Sequence, residues 1–266
     1  MAVGSHLVFR AENRQVLAAT AERQRAFAAA LCRVGERHGL YAFGLGDTHG
    51  HAAITTLPQA VGRFVHDARL ALGSALDVRI AAPSLFPIED GRHAQRLITY
   101  VHGQDAHHGV GLDPRREGTS LPDLLGLRVT APWLIDRVRA IAPRLRRSLL
   151  WQEWGREEIE AIELSLLVEA AAASVGTAAL TGNTPWVVAG RTAAIAAAAS
   201  FGTEEVAVAL GLTTRAVQRL RSRPASPALV RAIRLQCGLR LQSVGPVLLG
   251  EPRVAYRVER ATEVAG

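Results

Sequence analysis

Lysine is absent from this chain, and all 31 basic side chains apart from histidine are arginine. Cysteine is nearly absent. Cys32 and Cys237 lie far apart and in no CxxC pair, which excludes a disulfide framework and a zinc ribbon. This cysteine usage fits a reducing cytoplasm, and Met1 to Arg10 lacks the charged start and long apolar run of a signal peptide. Long hydrophobic runs are missing too. The most apolar stretches are interrupted by Glu163, Glu169 and Arg191, so no segment is expected to span a membrane. No coiled-coil heptads mark an oligomerisation helix.

What is present is a chain of 266 residues with 48% hydrophobic content, enough to bury an ordinary core in one large domain or two smaller ones. A formal net charge of +7 and a sequence pI near 10.7 favour a polyanionic partner, with nucleic acid as the first candidate. A GC-rich genome accounts equally well for the missing lysines, but not for the excess of positive charge.

His6-Leu7-Val8-Phe9 reads as a first strand and Ala21 to His38 as a helix with Phe27, Ala30, Leu31 and Val34 on its apolar side. Leu40 to Leu45 and His49 to Thr56 read as two strands joined around Gly46-Asp47, and Pro58 opens a second helix ending near Gly73. A short strand around Asp77 to Ala81, a loop through Pro83 and Pro87, and a helix from Glu89 to Gln104 follow. From Trp133 onward helices are expected, one of them alanine-rich between Ile159 and Leu180, with a last strand signal over 254–258. The predicted fold class is α+β. Its expected divisions are a catalytic domain over 1–130, a helical linker over 131–180, a DNA-binding domain over 181–245 and a basic tail over 246–266.

Tyr100 and Gln104 stand one helical turn apart and share a face, while His49 and His51 share one face of a strand. Two neutral imidazoles and the amide oxygen of Gln104 would hold a divalent cation and leave positions open for phosphodiester oxygens. Tyr100 beside such a phosphate would attack it and leave a covalent phosphotyrosine, whose retained bond energy lets the strand be rejoined without ATP. Singly, these residues have duller readings. A helical tyrosine usually packs, and one HxH among nine histidines is weak evidence. The conjunction carries the weight. His102 is expected to point away from the Tyr100 side, Asp47 to form a turn, and His107 and His108 to sit at a helix end.

The arrangement resembles the HUH single-tyrosine transposases, which include the insertion-sequence single-strand transposases and those associated with repetitive extragenic palindromes. In that family a strand carries His-hydrophobic-His, and a later helix carries Tyr followed four residues on by Gln or Asn. His49-Gly50-His51 and Tyr100-Val101-His102-Gly103-Gln104 occupy those places, with His6-Leu7-Val8-Phe9-Arg10 as the opening strand, over roughly residues 5–128. The resemblance implies a ferredoxin-like βαββαβ core, Mg²⁺ or Mn²⁺, and cleavage of single-stranded DNA at sites marked by hairpins. The chain departs from the family at Gly50, where an apolar side chain is usual, and at Asp47-Thr48 in place of Pro-Asn. Glycine there is expected to loosen the strand.

Thr203 to Leu220 has the small, turn and core positions of a helix-turn-helix in Ala207, Gly211 and Val217, sealed by Leu212 and Leu220. Thr213 is expected to cap the second helix, which then presents Thr214, Arg215, Gln218 and Arg219 to the major groove of duplex DNA. Arg221, Arg223, Arg231 and Arg234 are candidates for phosphate contacts. The leading expectation is therefore a metal-dependent single-strand DNA endonuclease and strand transferase that docks on duplex DNA. A regulator of the same fold without cleavage, and a replication or mobilisation initiator, are the alternatives.

Overall fold

A computed structural model of the chain describes residues 2–46, 48–103, 113–153 and 158–242. The apolar, β-favouring run Leu7-Val8-Phe9 builds β1 (Gly4–Arg10). Next come α1 (Ala21–Gly35), β2 (Leu40–Leu45), β3 (His49–Ile54), α2 (Gly62–Leu76) and β4 (Ser84–Ile88). Thr20 caps α1 by accepting from the Arg23 amide at 3.3 Å. The four strands form one sheet in the order β2-β3-β1-β4, and all neighbours are antiparallel. The fold is α+β.

The fourth strand lies seven residues beyond its expected start at Asp77. Around 77–81 only an isolated bridge joins Ala11 to Ile80, and Pro87, which signalled a loop, pairs with Ser5 inside β4. An edge strand has one side without ladder bonds, where a missing N–H costs nothing.

Paired residues of an antiparallel ladder project from the same face of the sheet. Leu7 and Phe9 of β1, Ala52 and Ile54 of β3 and Phe43 of β2 therefore share one face, which packs on α1 and α2. Phe27 of α1 meets Phe43 edge-on at 6.4 Å, and Phe64 of α2 meets Phe9 at 6.3 Å. Gly50, opposite Phe9, belongs to this face as well. A Cβ at Gly50 would lie 2.5 Å from Phe27 Cζ, so the phenyl ring of α1 occupies the volume that a strand side chain would otherwise fill. The expected loosening is offset by this ring.

The opposite face carries α3 (Gly91–His102). Gly44, paired with His51, lets the helix approach closely, because a Cβ there would lie 2.3 Å from the Val101 carbonyl oxygen. Beyond it, α4 (Leu121–Leu125), α5 (Trp133–Ile141) and α6 (Arg147–Glu153) add Leu124, Leu134, Val138, Leu150 and Trp151 to the core of the sheet.

A second core is built by α7 (Leu167–Ser174), α8 (Pro185–Ala197), α9 (Thr203–Leu210), α10 (Thr214–Arg221) and α11 (Pro227–Leu241). The stretch 131–180 thus divides between the two cores. Its alanine-rich part is α-helical only over Leu167–Ser174, closing at Gly176 with φ +61°. α11 belongs to both cores, through Leu235 and Leu239 on one side and Ile233 and Cys237 on the other.

Buried charge reinforces that junction. Arg25 of α1 donates to Glu117 at 2.7 Å and to Glu169 of α7 at 2.6 Å, and Arg240 of α11 donates to Glu117 at 2.7 Å. Two cations and two anions compensate one another. No helix among the described residues is long and apolar enough to cross a membrane.

Phe27→Ala is expected to cost about 3–5 kcal/mol by opening a cavity, and Gly50→Val about 1–3 kcal/mol by overpacking against the ring. Denaturant unfolding of the double variant should show it to be more stable than Phe27→Ala alone. Simple addition of the two losses would mean that ring and glycine do not share one volume.

Candidate metal and tyrosine centre

The β1–β3 register sets Arg10 opposite His49, Val8 opposite His51 and His6 opposite Ala53. His6, Arg10, His49 and His51 consequently project from the face that carries α3. The His49 and His51 rings meet edge to face with centroids 4.8 Å apart. Tyr100 stands edge-on to His51 at 5.6 Å and to His6 at 6.2 Å. His51 is buried, whereas His49 and Tyr100 are half-buried, so the cluster has one side toward solvent. Gln104, with Asp47, His107 and His108, lies outside the described residues.

Tyr100 owes its position to anchors at both ends of α3. Asp90 caps the helix by accepting from the His93 amide at 2.7 Å, and Leu97, Ile98 and Val101 are buried on the sheet. At the far end His102 turns away from the Tyr100 side, and its Nε2 lies 2.7 Å from the Ser120 hydroxyl. That hydroxyl is 3.1 Å from the Phe43 amide and 3.2 Å from the Phe43 carbonyl on β2. Ser120 Oγ thus accepts from Phe43 N–H and donates to Phe43 O, which leaves a lone pair for an Nε2–H of His102. The imidazole ties the end of the helix to the edge of the sheet.

His6 is the member of the cluster that its local sequence did not signal. Its Nε2 lies 2.9 Å from His51 Nδ1, and the two rings stack with centroids 5.2 Å apart and planes 19° apart. Phe86 of β4 closes the other side at 5.8 Å. Burial, and then the neighbouring His93, push the His6 pKa down to about 4. Burial alone pushes that of His102 down to about 3. Both imidazoles are neutral at neutral pH.

Imidazole nitrogen is a better donor to Mn²⁺ than to Mg²⁺, which prefers oxygen, although Mn²⁺ binds it more weakly than the later first-row ions do. His49 and His51 fit the first ion as two nitrogen donors. Among the described residues no group of three or more His, Cys, Asp or Glu side chains is arranged to hold a metal.

In the second core α9 and α10 form a helical hairpin that turns at Gly211, with φ +61°. Ala207, Val217 and Leu220 are buried between the helices, and Thr213 caps α10 by accepting from the Ala216 amide at 3.2 Å. Thr213, Thr214, Arg215, Gln218 and Arg219 are exposed in a row along it. Arg221, although also exposed, donates to the Thr203 hydroxyl at 3.0 Å, which holds it against the start of α9. Arg231 is paired with Glu158 and Glu160. Comparison with protein-family models, with curated proteins and with solved structures finds no match to this chain.

The two depressed histidines give stability a defined pH dependence. An unfolded histidine takes up its proton near pH 6.5, whereas folded His6 and His102 refuse it until about pH 4 and about pH 3. Their contribution is complete above pH 6.5 and falls with decreasing pH, by up to about 1.4 kcal/mol per pH unit for each. Urea unfolding between pH 7.5 and 5 should show this decline, and His102→Gln should make it shallower. An unchanged slope in that variant would contradict the assignment.

Proposed function

We propose that the chain is a single-strand DNA endonuclease and strand transferase of the HUH single-tyrosine type, with Tyr100 as nucleophile. The observation that carries this reading is the approach of the Tyr100 ring to within 5.6 Å of the His51 ring, which itself meets His49, from a helix and a strand about fifty positions apart. The element order βαββαβ and the strand order β2-β3-β1-β4 support a ferredoxin-like core beneath it. The excess of arginine supports a polyanionic substrate.

On this reading His49, His51 and the amide oxygen of Gln104 would hold Mn²⁺ or Mg²⁺, which would supply Lewis-acid polarisation of a phosphodiester oxygen. Tyr100, set at the open side of the cluster, directs its phenolic oxygen at the phosphorus. One bond forms between that oxygen and phosphorus, and one bond from phosphorus to a sugar oxygen breaks. The phenolic proton leaves, and the released sugar oxygen gains one. Reversal by another strand's hydroxyl rejoins DNA without an external energy source. Arg10, on the same face beside His49, adds positive charge where the phosphate sits.

The α9–α10 hairpin supports a duplex-DNA reader. Arg215 and Arg219 suit guanine edges and Gln218 suits adenine, with Thr213 and Thr214 near the backbone. Arg221 is more a brace of the hairpin than a contact, since it is already bonded to Thr203. A regulator that binds DNA without cutting is the second reading, favoured because no group of three His, Cys, Asp or Glu side chains among the described residues is placed to hold a metal.

A pool of 5′-labelled hairpin oligonucleotides with Mn²⁺ separates the two. Wild type should form a denaturant-resistant protein–DNA adduct, and Tyr100→Phe should bind the same DNA with unchanged affinity and form none. Binding by both proteins with no adduct from either would establish the regulator instead.

A further inference from the structure

His6 takes no part in the bond changes above, yet its Nε2 lies 2.9 Å from His51 Nδ1. A hydrogen bond between two imidazole nitrogens at that distance runs in either of two directions, with the proton on one ring or the other. A cation held at Nε2 of His51 needs the lone pair on that atom, so the ring proton must then reside on Nδ1. His6 Nε2 stands where it accepts that proton. The two ring planes lie 19° apart, so the same bond also restrains the tilt of the His51 ring.

We propose that His6 is a positioning residue that accepts the Nδ1–H of His51 and so holds this ring in the tautomer and orientation that offer Nε2 to a divalent cation. The proposal rests on the reading of His51 as a metal ligand. It gives the site a support beneath its ligand, of the kind through which metal-binding histidines are oriented.

A second observation points the same way. Nδ1 of His6 is buried and has no hydrogen-bond partner among the described residues. For packing alone, histidine is a poor choice at this place, between Phe86 at 5.8 Å and Tyr100 at 6.2 Å. Leucine would cover the same rings and remove the unpartnered Nδ1, but it would also take from His51 Nδ1 its bond to His6. A merely structural role predicts an effect of an apolar substitution on stability alone, whereas a positioning role predicts loss of Mn²⁺ affinity in a protein that still folds.

The full-length chain, His6→Leu and His6→Gln are to be compared by calorimetric titration with Mn²⁺ alone, by thermal unfolding and by adduct formation. His6→Leu should still unfold cooperatively as a folded protein and bind Mn²⁺ roughly 10–100-fold more weakly, with adduct yield recovering as Mn²⁺ is raised. His6→Gln, whose amide oxygen accepts the same proton, should regain most of the affinity. Unchanged Mn²⁺ affinity in a folded His6→Leu would overturn the proposal, as would a Gln variant no better than the Leu variant. If wild type forms adduct and His6→Leu matches it at limiting Mn²⁺, the positioning role alone fails. If wild type does not bind Mn²⁺, His51 is not a ligand and both readings fail together.

Discussion

The register between β1 and β3 is the constraint on which the rest of the site depends. Alternate residues of a strand face opposite sides, so a slip of one position would turn His49 and His51 into the α1–α2 core and Gly50 toward α3. The lock is steric. Phe27 presses into the space above Gly50, and no larger residue fits under the ring. Gly44 then admits α3 to the other face, and the His102–Ser120–Phe43 link fixes that helix lengthwise. The position of Tyr100 is the product of these separate contacts.

The junction of the two cores follows a different logic. Arg25, Glu117, Glu169 and Arg240 form a compensated set of charges in which Glu117 is buried between two arginines, so its loss would leave buried Arg25 with only the half-exposed Glu169 as a carboxylate partner. α11 contributes apolar residues to both cores beside it. A tether would have neither feature. Under the proposed function, the hairpin that docks on duplex DNA and the face that cuts a single strand are thereby tied together through α1, α7 and α11.

Much of this was legible in the sequence because it depends on local periodicity. The strand character of residues 6–9, 40–45 and 49–54, the helix under Tyr100, the Thr213 cap and the Gly211 turn are all signalled by neighbouring residues. What local pattern does not carry is pairing. His6 resembles any strand residue until β1 is laid against β3, and Gly50 looks like a weakness until Phe27 arrives from another element. Pro87 signals a loop by its chemistry and is a strand residue by its place at the edge of the sheet. The division of 131–180 between two cores likewise turns on contacts made far along the chain.

The central claim is that two imidazoles and a phenol surround one cation position. Paramagnetic broadening by Mn²⁺ tests it directly, since signal loss falls steeply with distance from the ion. In a titration of isotope-labelled protein, resonances of His49, His51 and Tyr100 should vanish first, while those of Arg215 and Gln218 on α10 stay sharp. Broadening that begins elsewhere, or spares Tyr100 while erasing the histidines, would contradict the account.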